Sequence, residues 1–257
     1  MYKTSAFLND FLVLRKGFFV LKVKKLFNYF NLTEKLIWSI SVLVIVISFL
    51  VFENDGFLTL VASLVGVTAL IFCAKGNPIG QFLMIIFAII YSIISFSFQY
   101  YGEMITYLGM SLPMAAFSLF TWLKNPFNGK KSEVAVNKIT FKEIIFMSAL
   151  TLIVTIVFYF ILKYFNTANL IPSTFSVSTS FLAAYLTFRR SPYYALAYAS
   201  NDVVLIILWI LASFKDISYI SVIICFVVFL VNDLYGFISW LRMMKRQEKA
   251  IKDLLQY

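Results

Sequence analysis

The chain has 257 residues, of which 61% are hydrophobic, 19% aromatic and only 13% charged, proportions that exclude an ordinary water-soluble domain. A bilayer core of roughly 30 Å needs about 20 apolar residues per helical crossing, so the sequence predicts an all-α polytopic membrane protein with little length left for a soluble domain. The formal net charge of +10 reads as membrane topology and headgroup contact rather than nucleic-acid binding, because the Lys and Arg residues lie between and outside the apolar runs.

Residues 1–35 form a basic N-terminal segment. Its apolar stretch near Phe7 to Leu14 is short, broken by Asp10 and followed by Arg15, Lys16, Lys22, Lys24 and Lys25, which does not read as a cleavable signal peptide. The interleaved Phe18, Phe19, Leu26, Phe27 and Phe30 suit an interfacial helix on the inner leaflet. Eight apolar runs follow, at 36–52, 57–74, 78–98, 103–123, 143–163, 169–188, 192–213 and 218–241, each bounded by charge, Gly, Asn or Pro. Residues 242–257 remain as a cytoplasmic tail.

Eight crossings place both termini on one side. If that side is the cytoplasm, the inner segments hold the N-terminal cluster, Lys75, Lys124, Lys130, Lys131, Lys138, Lys142, Arg189, Arg190 and the tail cations, while the outer ones carry Glu53, Asp55, Glu103 and Asp216. Only Lys163 and Lys215 break this separation, which is what the positive-inside rule demands and an odd count would scramble. An internal repeat supports the same layout. Lys75-Gly76-Asn77-Pro78 precedes the third run as Arg189-Arg190-Ser191-Pro192 precedes the seventh, and the fourth and eighth runs end in Thr121-Trp122-Leu123-Lys124 and Ser239-Trp240-Leu241-Arg242. The expected architecture is 1+3+1+3: a first helix at 36–52, a three-helix bundle over 57–123, a linker helix at 143–163 and a second, parallel bundle over 169–241. Parallel repeats are an established transporter plan with substrate bound between the halves near the midplane.

Polar residues inside the apolar runs mark the candidate site. Asn201-Asp202 and Asn232-Asp233 lie about halfway along successive runs, where a carboxylate is costly unless it faces a partner or a wet cavity. Helical spacing puts Tyr194, Tyr198 and Asn201 on one stripe, Asp202 with Tyr198 and Trp209 beside it, Asn232 with Tyr235 and Ser239, and Asp233 with Gly236 and Trp240. Such a surface can hydrogen-bond a polar ligand and stack a flat ring. The competing reading is that these groups only bond helix to helix. Tyr107, one turn inside the outer mouth, is a candidate entrance residue, and Pro113 can kink its helix. Glu103 reads as a solvated charge at the mouth, and Trp122 and Trp240 read as interface anchors. The seam Thr174, Ser176, Ser178, Thr179 and Ser180 suits close helix packing, with Thr179 kept as a candidate ligand.

Several of these motifs occur in order: Tyr101-Gly102-Glu103-Met104 through Pro113 to Trp122, Tyr193-Tyr194 to Asn201-Asp202, and Asn232-Asp233-Leu234-Tyr235-Gly236 to Trp240. Over roughly 57–242 the chain resembles the PnuC family of vitamin B3 (nicotinamide riboside) transporters. That resemblance implies a fold like the SWEET sugar carriers, uptake by facilitated diffusion, trapping of the product by a cytosolic nicotinamide riboside kinase, a trimeric homo-oligomer and the bacterial inner membrane. It implies no cofactor. Relatives carry thiamine or riboflavin; a pyridinium nucleoside and thiamine are both cations that the acids and aromatic faces suit, whereas riboflavin is larger and neutral.

Other functions remain to be weighed. Proton-coupled transport through Asp202 or Asp233 is one, and an integral-membrane enzyme is another. The chain has no histidine, and its two cysteines, Cys73 and Cys225, lie inside apolar runs, so it offers no metal-ligand spacing and poor material for acid–base catalysis. A structural or receptor-docking subunit would leave Asn201 and Asn232 without a ligand to bind.

Overall fold

The computed structural model describes residues 28–52, 56–97, 101–167, 169–214 and 217–255. The reading of most of the N-terminal segment, and of the charges at Glu53, Asp55, Lys215 and Asp216, lies outside the described residues. The chain divides into two units, residues 1–39 and 40–257. In the first, Asn31 and Glu34 form a reciprocal capping box: Asn31 Oδ1 accepts the Glu34 N–H and Glu34 Oε2 accepts the Asn31 N–H, both at 2.8 Å. That cap starts helix α1 (Leu32–Phe52) four residues before the predicted run.

Seven further long helices follow among the described residues: α2 (Phe57–Ala74), α3 (Pro78–Ser97), α4 (Tyr101–Lys124), α5 (Phe141–Tyr164), α6 (Leu170–Phe188), α7 (Tyr194–Ser213) and α8 (Ile220–Leu255). Seven of the eight are long and apolar enough to cross a membrane. The eighth, α6, is diluted by its hydroxyl seam. The faces turned outward are those of a lipid-solvated surface: α5 exposes Ile145, Leu152, Ile153 and Phe160 along its length, a pattern that water would not tolerate.

Helix α2 packs on α3 and α3 on α4; α6 packs on α7 and α7 on α8; α2 also meets α8, and α4 meets α6. Helix α5 lies against α6, where Thr155 and Ser178 share a 2.7 Å hydrogen bond. In α2 and α3 the close approach is made at Gly80, where a Cβ would stand 2.5 Å from Cys73 Sγ and 2.7 Å from its backbone N.

Three local features depart from the sequence reading. Helix α4 is interrupted by a π turn over Tyr107–Ser111, with Leu112 N–H bonded to Tyr107 O. Pro113 explains it, because its ring crowds the carbonyl one turn back and the preceding turn widens rather than breaks. At the other end of α4, β1 (Pro126–Phe127) and β2 (Lys130–Val134) pair antiparallel across Asn128-Gly129, both with positive φ, the conformation that favours Asn-Gly in a tight hairpin turn. The tail beyond 241 is no separate segment. No Gly or Pro stops it, so α8 runs on to Leu255, and Gln247 and Arg246 dock on the hairpin through Glu133 at 2.8 and 2.6 Å.

The two proline turns are built alike. Asn77 N–H bonds Phe72 O and Gly76 N–H bonds Cys73 O; Ser191 N–H bonds Leu186 O and Arg190 N–H bonds Thr187 O. Gly76 and Arg190 both take positive φ, 65° and 57°. Burial and the neighbouring Arg189 guanidinium lower the pKa of Arg190 from its usual value, while Arg189 itself forks onto the Glu143 carboxylate at the start of α5.

Candidate functional site

Between α2, α3, α4, α6, α7 and α8, with Leu162 of α5 also in the lining, lies a cavity of about 170 Å³. Helix α7 supplies its polar wall. Asn201 is buried, and its Oδ1 accepts from Thr179 Oγ1 at 2.8 Å and Ser180 Oγ at 3.0 Å. With the carbonyl oxygen occupied, the Nδ2 amide is directed to the cavity as a donor. One position on, Asp202 is also buried, with Oδ2 unpartnered. Asp233 from α8 is buried as well. Both carboxyls line the cavity, as does Glu103.

Aromatic side chains form the opposing wall. Tyr107, at the head of the π turn, sits with its ring centroid 4.9 Å from that of Tyr91, which is 4.9 Å from Phe87. Gly66 lets this wall close up: a Cβ there would stand 2.7 Å from Phe229 Cζ and 3.1 Å from the Phe87 ring. Tyr198 and Trp209 line the cavity from α7. The lining among the described residues therefore combines three acids, amides and ring faces, and includes no Lys or Arg.

The sequence-predicted residues divide accordingly. Asn201, Asp202, Asp233, Tyr198, Trp209 and Tyr107 all reach the cavity. Thr179 stands behind Asn201 rather than in the lining. Asn232 and Tyr235 are not in the lining either. Asn232 turns its amide to Ser41 Oγ on α1 at 2.9 Å and to Val228 O at 2.8 Å, so its Nδ2 joins two helices instead of facing the cavity. Glu103 is not a fully solvated mouth charge, since it is half-buried and lines the cavity. Trp122 and Trp240 are not interface anchors: both are 0% exposed, because the helix ends that carry them pack against other helices rather than against headgroups.

Sequence reasoning passed over Gln81, 4% exposed on α3, which lines the cavity and donates to Cys73 Sγ at 3.2 Å. The signal was available: it is a lone amide within a 20-residue apolar helix. Ser180 and Tyr91 also escaped, the first hidden in a hydroxyl seam that resembles packing and the second among many aromatics.

A largely apolar cavity that holds three acids, set among helices too apolar for water, fits a multi-pass membrane carrier. The chain belongs to the nicotinamide mononucleotide transporter family, whose model matches residues 56–242. Its relatives include the nicotinamide riboside transporter PnuC of Neisseria mucosa, 25% identical over 214 residues spanning 82% of this chain and 81% of the relative. The protein of the same name in Haemophilus influenzae is 24% identical over 193 residues, 75% of this chain and 82% of that one. A solved crystal structure of the vitamin B3 transporter PnuC has the same fold, with a TM-score of 0.72 at 23% identity over 85% of this chain and 94% of the other.

Proposed function

We propose that this chain takes up nicotinamide riboside, or a closely similar cationic vitamin, across the bacterial cytoplasmic membrane by facilitated diffusion. The observation that carries the reading is the set of acids in the cavity lining. Glu103, Asp202 and Asp233 face it with no Lys or Arg among the described lining residues, so a cationic pyridinium nucleoside suits it better than an anion does. Asn201 and Gln81 suit the carboxamide and ribose hydroxyls, and the Tyr107, Tyr198 and Trp209 rings suit a flat cation. A mononucleotide, whose phosphate carries about −1.5 to −2 charges, would set that charge against three acids. Thiamine shares the cationic chemistry and is the second reading.

The layout that goes with this function is eight crossings in a 1+3+1+3 order, with both termini cytoplasmic. It is supported by the charge separation along the chain, by the matching proline turns and by the packing of α2–α4 and α6–α8 as sets. Rocking of one set against the other would expose the cavity to each side in turn. By family resemblance the carrier is a trimer, and a cytosolic kinase traps the product by phosphorylation.

Calorimetric titration of the purified protein tests the substrate. Nicotinamide riboside is expected to bind below millimolar concentration and its 5′-phosphate at least tenfold more weakly. Equal or tighter binding of the phosphate, or no binding of either the nucleoside or thiamine, contradicts the reading.

A further inference from the structure

Trp122 and Trp240 are the two largest fully buried side chains, and each sends its indole N–H to the other set of helices. Trp122 Nε1 donates to Thr187 O at the end of α6, 2.9 Å away. Trp240 Nε1 donates to Cys73 O at the end of α2, 2.8 Å away. The acceptors correspond as closely as the donors, since Cys73 and Thr187 each lie three residues before the positive-φ residue of a proline turn. The indole rings meet at 5.4 Å between centroids, with the Tyr194 ring edge-on to Trp240 at 4.9 Å. Cys73, Gln81 and Tyr194 line the cavity and the two tryptophans do not, which puts the pair between the cavity and the proline turns.

The end of the hairpin and the residues just after it tie the same two turns together. Val134 N–H bonds Gly76 O at 2.9 Å and Asn137 N–H bonds Arg190 O at 3.0 Å. Gln247, buried on α8, holds that segment by accepting from Val136 N–H at 2.8 Å and donating to Val134 O at 3.0 Å.

We propose that Trp122 and Trp240 are the gate residues at the turn end of the cavity, latched by their two reciprocal bonds and backed by the 134–137 segment. The bonds run in opposite directions between the two sets of helices, so a rocking motion breaks both together. The latch is also reversible. Cys73 O keeps its bond from Gly76 N–H at 2.8 Å, and Thr187 O keeps that from Arg190 N–H at 2.9 Å, so withdrawal of an indole leaves no buried carbonyl unpaired. The inference builds on the carrier reading but not on the identity of the substrate.

Cys73 is a native reporter, since it lines the cavity beside the latch. In a Cys225→Ser background it is the sole thiol, and its reaction with a membrane-impermeant methanethiosulfonate can be followed from each face of oriented membrane vesicles. Protease access to the α8 tail identifies the turn face. Trp122→Phe/Trp240→Phe keeps the ring packing and removes both donors; it is expected to speed Cys73 labelling from the turn face at least fivefold, each single change giving an intermediate rate. Unchanged labelling from that face overturns the proposal. Should the double variant fail to fold, Gln247→Ala decides alone: a twofold or greater rise from the turn face supports the latch, and none overturns it. The assay contains no substrate, so its failure leaves the substrate reading standing.

Discussion

Asn201 and Asn232 are the same residue type on neighbouring helices, and their surroundings give them different work. Two hydroxyls hold the Asn201 carbonyl and turn its amide to the cavity, whereas Asn232 spends its amide on Ser41 and Val228. Asn201→Ala is therefore expected to weaken nicotinamide riboside binding by about 2 kcal/mol, roughly thirtyfold in Kd, with little change in melting temperature. Asn232→Ala should do the reverse, costing about 1 kcal/mol of stability through the lost interhelical bond while leaving Kd within about threefold of the parent. Calorimetry and thermal melting of the two variants separate the roles; equal losses of affinity would contradict the assignment. Depth along α8 was legible in the sequence, but the rotation of the helix was not. Asn232 and Asp233 are 100° apart on the wheel, and only the packing of α8 on α1 and α7 decides which one faces inward.

At the scale of elements, the apolar runs marked the helices closely because bilayer thickness constrains their length. What lay between them was harder to read. The Asn128-Gly129 pair signals a hairpin, but strands as short as Pro126–Phe127 carry no usable alternation. The continuation of α8 brings Arg246 onto that hairpin, a contact 113 residues distant in sequence. Pro113 could be read as a kink; that the kink takes the form of a π turn placing Tyr107 on the cavity could not. Pro113→Ala permits regular α geometry through 107–111 and should rotate Tyr107 away from Tyr91, reducing affinity about tenfold, or roughly 1.4 kcal/mol, without loss of fold. An unchanged Kd would detach the π turn from binding. Gly80→Val belongs to the same scale. With a Cβ already 2.7 Å from the Cys73 backbone N, the larger side chain must part α2 from α3, and a loss of about 1–3 kcal/mol is expected in thermal melts. A variant as stable as the parent would contradict the close approach.

For the whole molecule, the sequence carried two kinds of long-range information: the separation of charge between alternate connections and the repetition of the proline turns and terminal tryptophans. The repeat was visible as similarity; its physical meaning, two matched turns cross-bonded by two matched indoles, required the structure. The cavity sits among the packed helices with three acids and no Lys or Arg among its described lining residues, which joins the fold to the chemistry of a cationic ligand. The most direct test of the account is counterflow. Proteoliposomes loaded with unlabelled nicotinamide riboside and diluted into labelled nicotinamide riboside, with no ion gradient, are predicted to accumulate label transiently, unaffected by an uncoupler and abolished when the internal substrate is replaced by buffer cation. Absence of counterflow, or counterflow that appears only with an imposed proton gradient, would contradict a passive carrier of the cationic nucleoside.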